Sequence, residues 1–395
     1  MAVLQPAETG CAGRGRFDHL LGFSLLVSGY PAEASWVLER AAAANPNSGA
    51  AWLDLADAYL QTGDTLRADT ALQHARALQP PPVAQRKIDT LQAALDKIRH
   101  PWSLSYTVRQ EIGWDSNVNS ATDQLSIVAP GFSPLPIKLD PDARASASSY
   151  ADLELGGALT GALNDDWTFY LLPRVKTRHY EPLRQFDRTF YNLQSGVSRR
   201  VGSGLLLGML QGEQQQMAGR DYLRSEGGIL EWRQPVGRSA LLSLTSQYTS
   251  TRYADRSMRN YDSNVALAGL AWKQGWTPQV NWSVAAYRGE DDGVNNRAGG
   301  GRRMVILSGA LNVKWLAGLE SALTLTHESD DYRQKDPAFL VTRSESIWNY
   351  TASLSWPWNK HFSSTVSYSH IRDDANIVLY GSKRDLVSLS VRGDF

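Results

Sequence analysis

A single cysteine, Cys11, stands in a chain of 395 residues, so no disulfide can form within it. The stretch around it, Glu8-Thr9-Gly10-Cys11-Ala12, lacks the apolar run of a lipid-attachment signal, and no secretory leader precedes it. A chain that must leave the cytoplasm is then expected to have had its leader trimmed or to be numbered from a late start. No charge of one sign is in excess: Lys plus Arg is 40 and Asp plus Glu is 40. There is therefore no net field to gather nucleic acid, which is excluded as a partner. No run of about 18 apolar residues occurs, which excludes a helical membrane span and leaves strands as the only route across a bilayer. The seven histidines are scattered and no glycine-rich phosphate loop is present, so no catalytic residue, cofactor or metal is expected. What is abundant is aromatic: 13 Trp and 16 Tyr, with charged residues at only 20%. Amphipathic rings and a low charge content suit a membrane interface.

The first hundred residues carry a repeat. Setting residues 17–46 above 51–80 aligns Leu21 with Leu55, Gly22 with Ala56, Gly29 with Gly63, Ala34 with Ala68, Ala41 with Ala75 and Pro46 with Pro80, a period of 34 residues. Small residues at the crossing points let paired helices approach, and Gly29 and Gly63 make the turns. In the second copy Trp52, Leu55, Ala56, Tyr59, Gly63, Asp64, Ala68, Ala75 and Pro80 resemble the tetratricopeptide pattern closely. Residues 82–99 then place Ile88, Leu91, Leu95 and Ile98 on one face of a capping helix that His100-Pro101 stops. Repeat arithmetic puts His19, Phe23, Asp57 and Gln61 on the concave side, where such stacks hold peptide segments. Two repeats make only a shallow groove, so for any one of these residues a merely solvated helix face is the favoured reading.

After Trp102 the period changes from 3.6 to 2. Trp348, Tyr350, Ala352, Leu354 and Trp356 alternate with Asn349, Thr351, Ser353 and Ser355, and similar divisions run from Ala240 to Thr249, from Val280 to Tyr287 and from Phe362 to Ser369. A soluble sandwich would put Lys and Glu on its outward face. Here the hydrophilic face is mostly hydroxyl and amide, which predicts a wet lumen inside a lipid-facing wall. Strand starts fall near Trp102, Ser146, Trp167, Arg188, Leu205, Tyr222, Ser239, Asn260, Gln279, Gly301, Glu320, Thr342, His361 and Ser382. That makes fourteen strands, an even number, as closed bacterial barrels have. Short turns alternate with long links at 117–145, 180–187, 289–300 and 329–341. With short turns in the periplasm and long loops outside, the first strand starts on the periplasmic side. Pro173 cannot donate a ladder bond, so a bulge is expected there. The fold class is thus α plus β in two domains: a disordered segment at 1–14, a helical repeat domain at 15–100, and a fourteen-stranded antiparallel transmembrane β-barrel at 101–395.

Periodicity points Arg109, Glu111 and Asp115 into the lumen. Asp115, Asn117 and Asn119 share the alternating oxygen spacing of a calcium loop but lack its glycine and closing glutamate, so Asx turns are the better reading. Arg174, Lys176 and Arg178 form a basic luminal row, which either pairs with Glu111, Glu231 and other acids to stiffen the wall or guides an anionic cargo; pairing is favoured. The acidic clusters at 290–292 and 328–331 fall at loop ends. Thr326-His327 and Ser369-His370 are the only hints of a lipid-face hydrolase, and Ser369 points into the lumen. Val387, Leu389, Val391, Gly393 and Phe395 close the chain on one face. A terminal aromatic on an alternating strand resembles the signal read by the outer-membrane barrel assembly machinery.

The repeats, the stretch Gly113-Trp114-Asp115-Ser116-Asn117-Val118-Asn119 on the first strand, and a barrel ending in Phe395 together resemble the surface lipoprotein assembly modifier family. The resemblance implies an outer-membrane protein of a Gram-negative bacterium, its repeats in the periplasm and its barrel in outer-membrane lipid. It further implies protein transport: delivery of a lipoprotein or secreted protein as cargo to the cell surface. An exopolysaccharide exporter also joins periplasmic repeats to a barrel, but usually with more repeats and sixteen strands. A diffusion porin would have no use for the repeats.

Overall fold

The computed structural model describes residues 13–99, 101–164 and 166–395. The chain divides into two compact units, one up to Trp102 and the other from Ser103. Cys11, most of the segment expected to be disordered, and the helix stop expected at His100 lie outside the described residues.

Among the described residues the first unit is five helices: α1 (Gly15–Val27), α2 (Pro31–Ala44), α3 (Gly49–Gln61), α4 (Thr65–Ala77) and α5 (Pro82–Arg99). Pro31 opens α2, where a missing N–H leaves nothing unsatisfied. Ser48 caps α3, and Asp64 caps α4 by accepting from Arg67 N at 3.0 Å. The aligned glycines turn the chain with left-handed φ, +83° at Gly29 and +79° at Gly63. The small residues do what the alignment requires of them: a β-carbon on Gly22 would lie 2.5 Å from Leu38 Cγ. One core runs through the stack, with Leu21, Leu38, Leu55, Leu72, Ile88 and Leu95 buried. Each such side chain contributes about 1.5–3 kcal/mol. Ile98 departs from its expected face. It stands 52% exposed, because the core ends at Leu95.

The second unit is a closed antiparallel barrel of fourteen strands: β1 (Trp102–Asp115), β4 (Ser148–Ala162), β5 (Trp167–Glu181), β6 (Arg188–Val201), β7 (Gly204–Met217), β8 (Arg220–Val236), β9 (Ala240–Tyr253), β10 (Ser263–Gly275), β11 (Val280–Gly293), β12 (Arg302–Lys314), β13 (Glu320–Lys335), β14 (Thr342–Pro357), β15 (Phe362–Ala375) and β16 (Ser382–Asp394). Neighbours in sequence pair throughout, and β1 pairs with β16 from Thr107 opposite Asp394 to Asp115 opposite Leu386. Leu104, Ile112, Leu210, Leu270 and Leu323 stand exposed on the outer face, whereas Ser198, Ser243 and Ser390 are buried on the inner one. The alternation read from the sequence is therefore the alternation of lipid and lumen. Trp102 begins β1 at the end of the barrel where the short turns lie.

Three details differ from the sequence reading. Pro173 makes no bulge: Gly156 faces Arg174 and Leu159 faces Leu171 in one unbroken register. The neighbouring Gly157 has no side chain, and a β-carbon there would meet Pro173 Cγ at 3.3 Å, so the ring fits without displacing the strand. Second, two of the long links are shorter than expected, because β11 continues to Gly293 and β13 to Lys335. Their polar ends stay in the ladder through cross-strand ion pairs, such as Arg333 with Glu290 at 2.8 Å. Third, the first long link holds a hairpin of its own, β2 (Ser126–Ala129) with β3 (Ser133–Lys138). The tip of that hairpin rests on the loop after β13, with Gly131 N donating to Ala338 O at 2.8 Å.

Candidate functional site

In the repeat unit one carboxylate joins three helices. Asp54 on α3 meets His19 Nε2 of α1 at 2.9 Å and accepts from Lys87 Nζ of α5 at 2.8 Å. Burial pushes the Asp54 carboxyl up, but the hydrogen bonds to His19 and Lys87 and the Lys87 charge outweigh it, so Asp54 sits below its ordinary value of 3.8. His19 is thereby held in a ladder across the stack. Phe23 stands 46% exposed, and Gln61 donates to Asp57 at 3.0 Å on an exposed face. Sequence reasoning missed Asp54 and Lys87. A signal was there: His19 precedes Asp54 by 35 residues and Lys87 follows it by 33, close to one repeat either way. Nearby, the Tyr59 hydroxyl donates to Glu39 under the Arg67 guanidinium, and burial together with Glu39 pushes it up to about 12.

One set of the barrel's charged residues converges at the first strand. Arg178 grips Asp152 with Nε and Nη2, both at 2.7 Å, stacks 3.7 Å over the Tyr150 ring, and stands 3.6 Å from Glu111. Tyr150 donates to Glu111 at 2.9 Å, and Arg109 pairs with the other Glu111 oxygen. Lys176 meets Asp152 at 2.9 Å, while Arg174 reaches Glu154 only at 3.5 Å. The basic row is thus matched, strand against strand, by an acidic row on β4. Glu231, also expected among its partners, pairs instead with Arg233 at 2.8 Å, since it lies three strands away on β8 with an arginine two residues along its own face.

Asp115 is fully buried at the top of this cluster. Its oxygens take Arg384 Nε at 2.9 Å and Nη2 at 2.5 Å, Asn117 N at 3.0 Å and the Tyr180 hydroxyl at 3.3 Å. Asn117 donates to Ala121 O and Lys383 O, and Asn119 to Asp142 O and Arg144 O, each at 2.8 or 2.9 Å. The three residues therefore tie the start of the first long loop to β16, to Tyr180 of β5 and to the loop's own return before β4. Asx geometry is what they build.

A second charged cluster was not foreseen. Arg302 bridges Asp291, at 2.9 Å, and Asp330; Arg297 holds Asp291 with Nη1 at 3.0 Å; Arg343 pairs with Glu345 and stacks 3.5 Å over Tyr380. The acidic clusters placed at loop ends are split by the strand period: Asp291 and Asp330 turn inward, while Glu290 and Asp292 turn outward to Arg333. Applying the period of two past the apolar belt would have found this. Ser369 is luminal and meets Thr351 Oγ1 at 2.8 Å, away from His370, which pairs with Asp385 on the outer face. Phe395 stacks on Tyr106 with ring centroids 5.0 Å apart and exchanges two backbone hydrogen bonds with it.

A closed fourteen-stranded barrel with an apolar outer wall and a polar lumen, carried behind a helical repeat unit, defines an outer-membrane barrel protein with a periplasmic domain. The surface lipoprotein assembly modifier profile matches residues 102–395 and a tetratricopeptide repeat profile matches residues 25–95; the chain belongs to the surface lipoprotein assembly modifier family. Among curated proteins none matches the chain. Similar solved structures include a Pseudomonas aeruginosa FadL homologue, with 11% identity, TM-score 0.40, 74% of this chain and 90% of that one covered. They also include OmpT of Vibrio cholerae in a loop-deleted form, with 8% identity, TM-score 0.41, and coverage of 75% and 100%.

Proposed function

We propose that the protein delivers a lipoprotein to the cell surface, the repeats receiving it in the periplasm and the barrel passing it outward. The observation that carries this reading is the family to which the barrel belongs, joined in one chain to a repeat unit that a diffusion pore would not need. The functional division falls between residues 100 and 101. In this reading Phe23, Asp57 and Gln61, with the His19 ladder beside them, are the groove that contacts cargo. Arg109, Glu111, Asp152 and Arg178 stiffen the luminal wall, Arg174 is the member of the basic row left to meet cargo, and Phe395 is read by the barrel assembly machinery.

The test is surface labelling of a co-expressed lipoprotein with full-length protein and with residues 1–99 deleted. The truncated chain is expected to insert as a heat-resistant barrel, because a closed barrel satisfies its own backbone. It should leave the lipoprotein unlabelled at the surface. Equal labelling with both proteins overturns the role given to the repeats.

A further inference from the structure

We propose that the outer wall between β10 and β14 holds a docking groove for the lipid anchor of the cargo, an acylated glyceryl group; this rests on the delivery reading above. The cross-strand register sorts the outer face of β11 to β14 into rows. From the short-turn end these are Trp282–Leu311–Leu323–Ala352, Val284–Gly309–Leu325–Tyr350, Ala286–Leu307–His327–Trp348, Arg288–Val305–Ser329–Ser346 and Glu290–Arg303–Asp331–Ser344. Two apolar rows are followed by one with an imidazole and an indole, and then by polar ones. The His327 row therefore marks the depth where acyl chains give way to head groups in the outer leaflet.

At that depth lies a trough of about 470 Å³, walled by Leu270, Val284, Leu307 and Leu325 and closed by His327 and Trp348. Gly309 is its floor, with nothing within 4 Å of where a β-carbon would stand. His327 Nε2 lies 3.0 Å from Ser346 Oγ, and its ring packs on Trp348 with centroids 4.2 Å apart. A neutral imidazole and a hydroxyl hold two donor hydrogens, and their mutual bond uses one in either tautomer. One N–H or O–H remains for a carbonyl. An apolar trough directed toward the short-turn end, with a donor at its outer end, has the polarity of an outer-leaflet lipid: chain inward, ester carbonyl at the junction. The groove of about 600 Å³ around Gly208, Gly228 and Leu230 carries the hydroxyls of Ser195, Ser246 and Tyr248 but no imidazole stacked on an indole, and serves as the comparison.

The probe is a synthetic diacylglyceryl-cysteine peptide with a diazirine in one acyl chain, applied to the full-length protein in phosphatidylethanolamine and phosphatidylglycerol nanodiscs. A phosphatidylethanolamine carrying the same diazirine is the control. Lipopeptide cross-links should concentrate on β12 to β14 and fall about tenfold in Gly309→Phe, which fills the trough. They should also fall in His327→Phe with Ser346→Ala, which removes the donor and leaves the trough, and be unchanged in Gly208→Phe. Equal labelling by the phosphatidylethanolamine probe, or labelling insensitive to Gly309→Phe in a barrel that keeps its heat resistance, overturns the site as an anchor dock. Surface delivery is scored in parallel. Normal delivery by Gly309→Phe with loss of delivery on removing residues 1–99 refutes the groove and leaves the function; normal delivery by both refutes the groove and the role given to the repeats, and delivery that persists in cells lacking the protein refutes the function itself.

Discussion

Gly113 and Tyr150 share one space: a β-carbon on Gly113 would come within 2.6 Å of Tyr150 Cζ and 2.5 Å of Val387 O. Gly113 faces the lumen between Glu111 and Asp115, so its missing side chain is the gap through which the Tyr150 ring reaches the Glu111 carboxylate. Tyr150 in turn is the platform under Arg178. One glycine on the first strand thus lets the acids of β1 and β4 share the guanidinium of β5.

Gly113→Ala is expected to destabilise the barrel by about 1–3 kcal/mol, because a backbone oxygen as well as a ring must move. Equilibrium unfolding in detergent micelles checks this. Tyr150→Ala should recover part of the loss, and a Gly113→Ala barrel as stable as the parent would contradict the packing argument.

The three cations on β5 should not behave alike. Arg178 is 13% exposed and bidentate, so Arg178→Ala leaves buried Asp152 poorly compensated and is expected to cost about 3–5 kcal/mol. Arg174 is 63% exposed with a long ion pair, and Arg174→Ala should cost less than about 1 kcal/mol. Urea denaturation of the two variants side by side gives the ranking; equal costs would mean that the row acts as one diffuse charge.

Asp54 predicts a pH dependence of the helical unit. Its folded value is depressed, so the unfolded chain takes up the proton first, and the stabilisation is present above 3.8 and lost as pH falls through the lower folded value. Acid titration of the helical circular-dichroism signal in the full-length protein should show this loss. Asp54→Asn should weaken the helices at neutral pH and flatten the dependence below 3.8. Tyr59 gives the opposite limb: its raised value favours the neutral hydroxyl, so its contribution is lost as pH climbs from 10 toward about 12.

Phe395 combines a ring with a pair of seam bonds. Phe395→Ala keeps the backbone exchange with Tyr106 and removes only the ring, so it is expected to lower the amount of barrel inserted in cells more than the heat resistance of what is inserted. Deleting Phe395 removes both and should lower both. Heat-modifiable gel mobility of membrane fractions separates the two effects, and normal insertion of Phe395→Ala would count against the ring as an assembly signal.

The strands were legible because a lipid-facing wall forces a strict alternation that hydroxyl-rich inner residues make easy to see, as at Trp348 to Trp356. The helical pair was legible from Gly22 and Ala56, whose smallness is local. Partner choice was not. Whether Arg178 meets Asp152 or Glu231, and whether His327 meets Thr326 or Ser346, depends on the register between strands, which no single segment contains. The hairpin β2–β3 was hidden for another reason: it buries little, and its Pro and Gly residues read as an ordinary link.

The loop between β1 and β4 is fastened very differently at its two ends. Its root is set in the buried side chains of Asp115 and Asn117 and the half-buried Asn119, while its tip at Gly131 rests on Ala338 through main-chain contact, where a β-carbon would strike Pro337 O at 2.0 Å. In mechanical terms it is a beam clamped at one end and simply supported at the other. A load from beneath lifts the tip off the β13–β14 loop long before it disturbs the clamp, so the rim can yield near β14 while the seam between β1 and β16 stays shut.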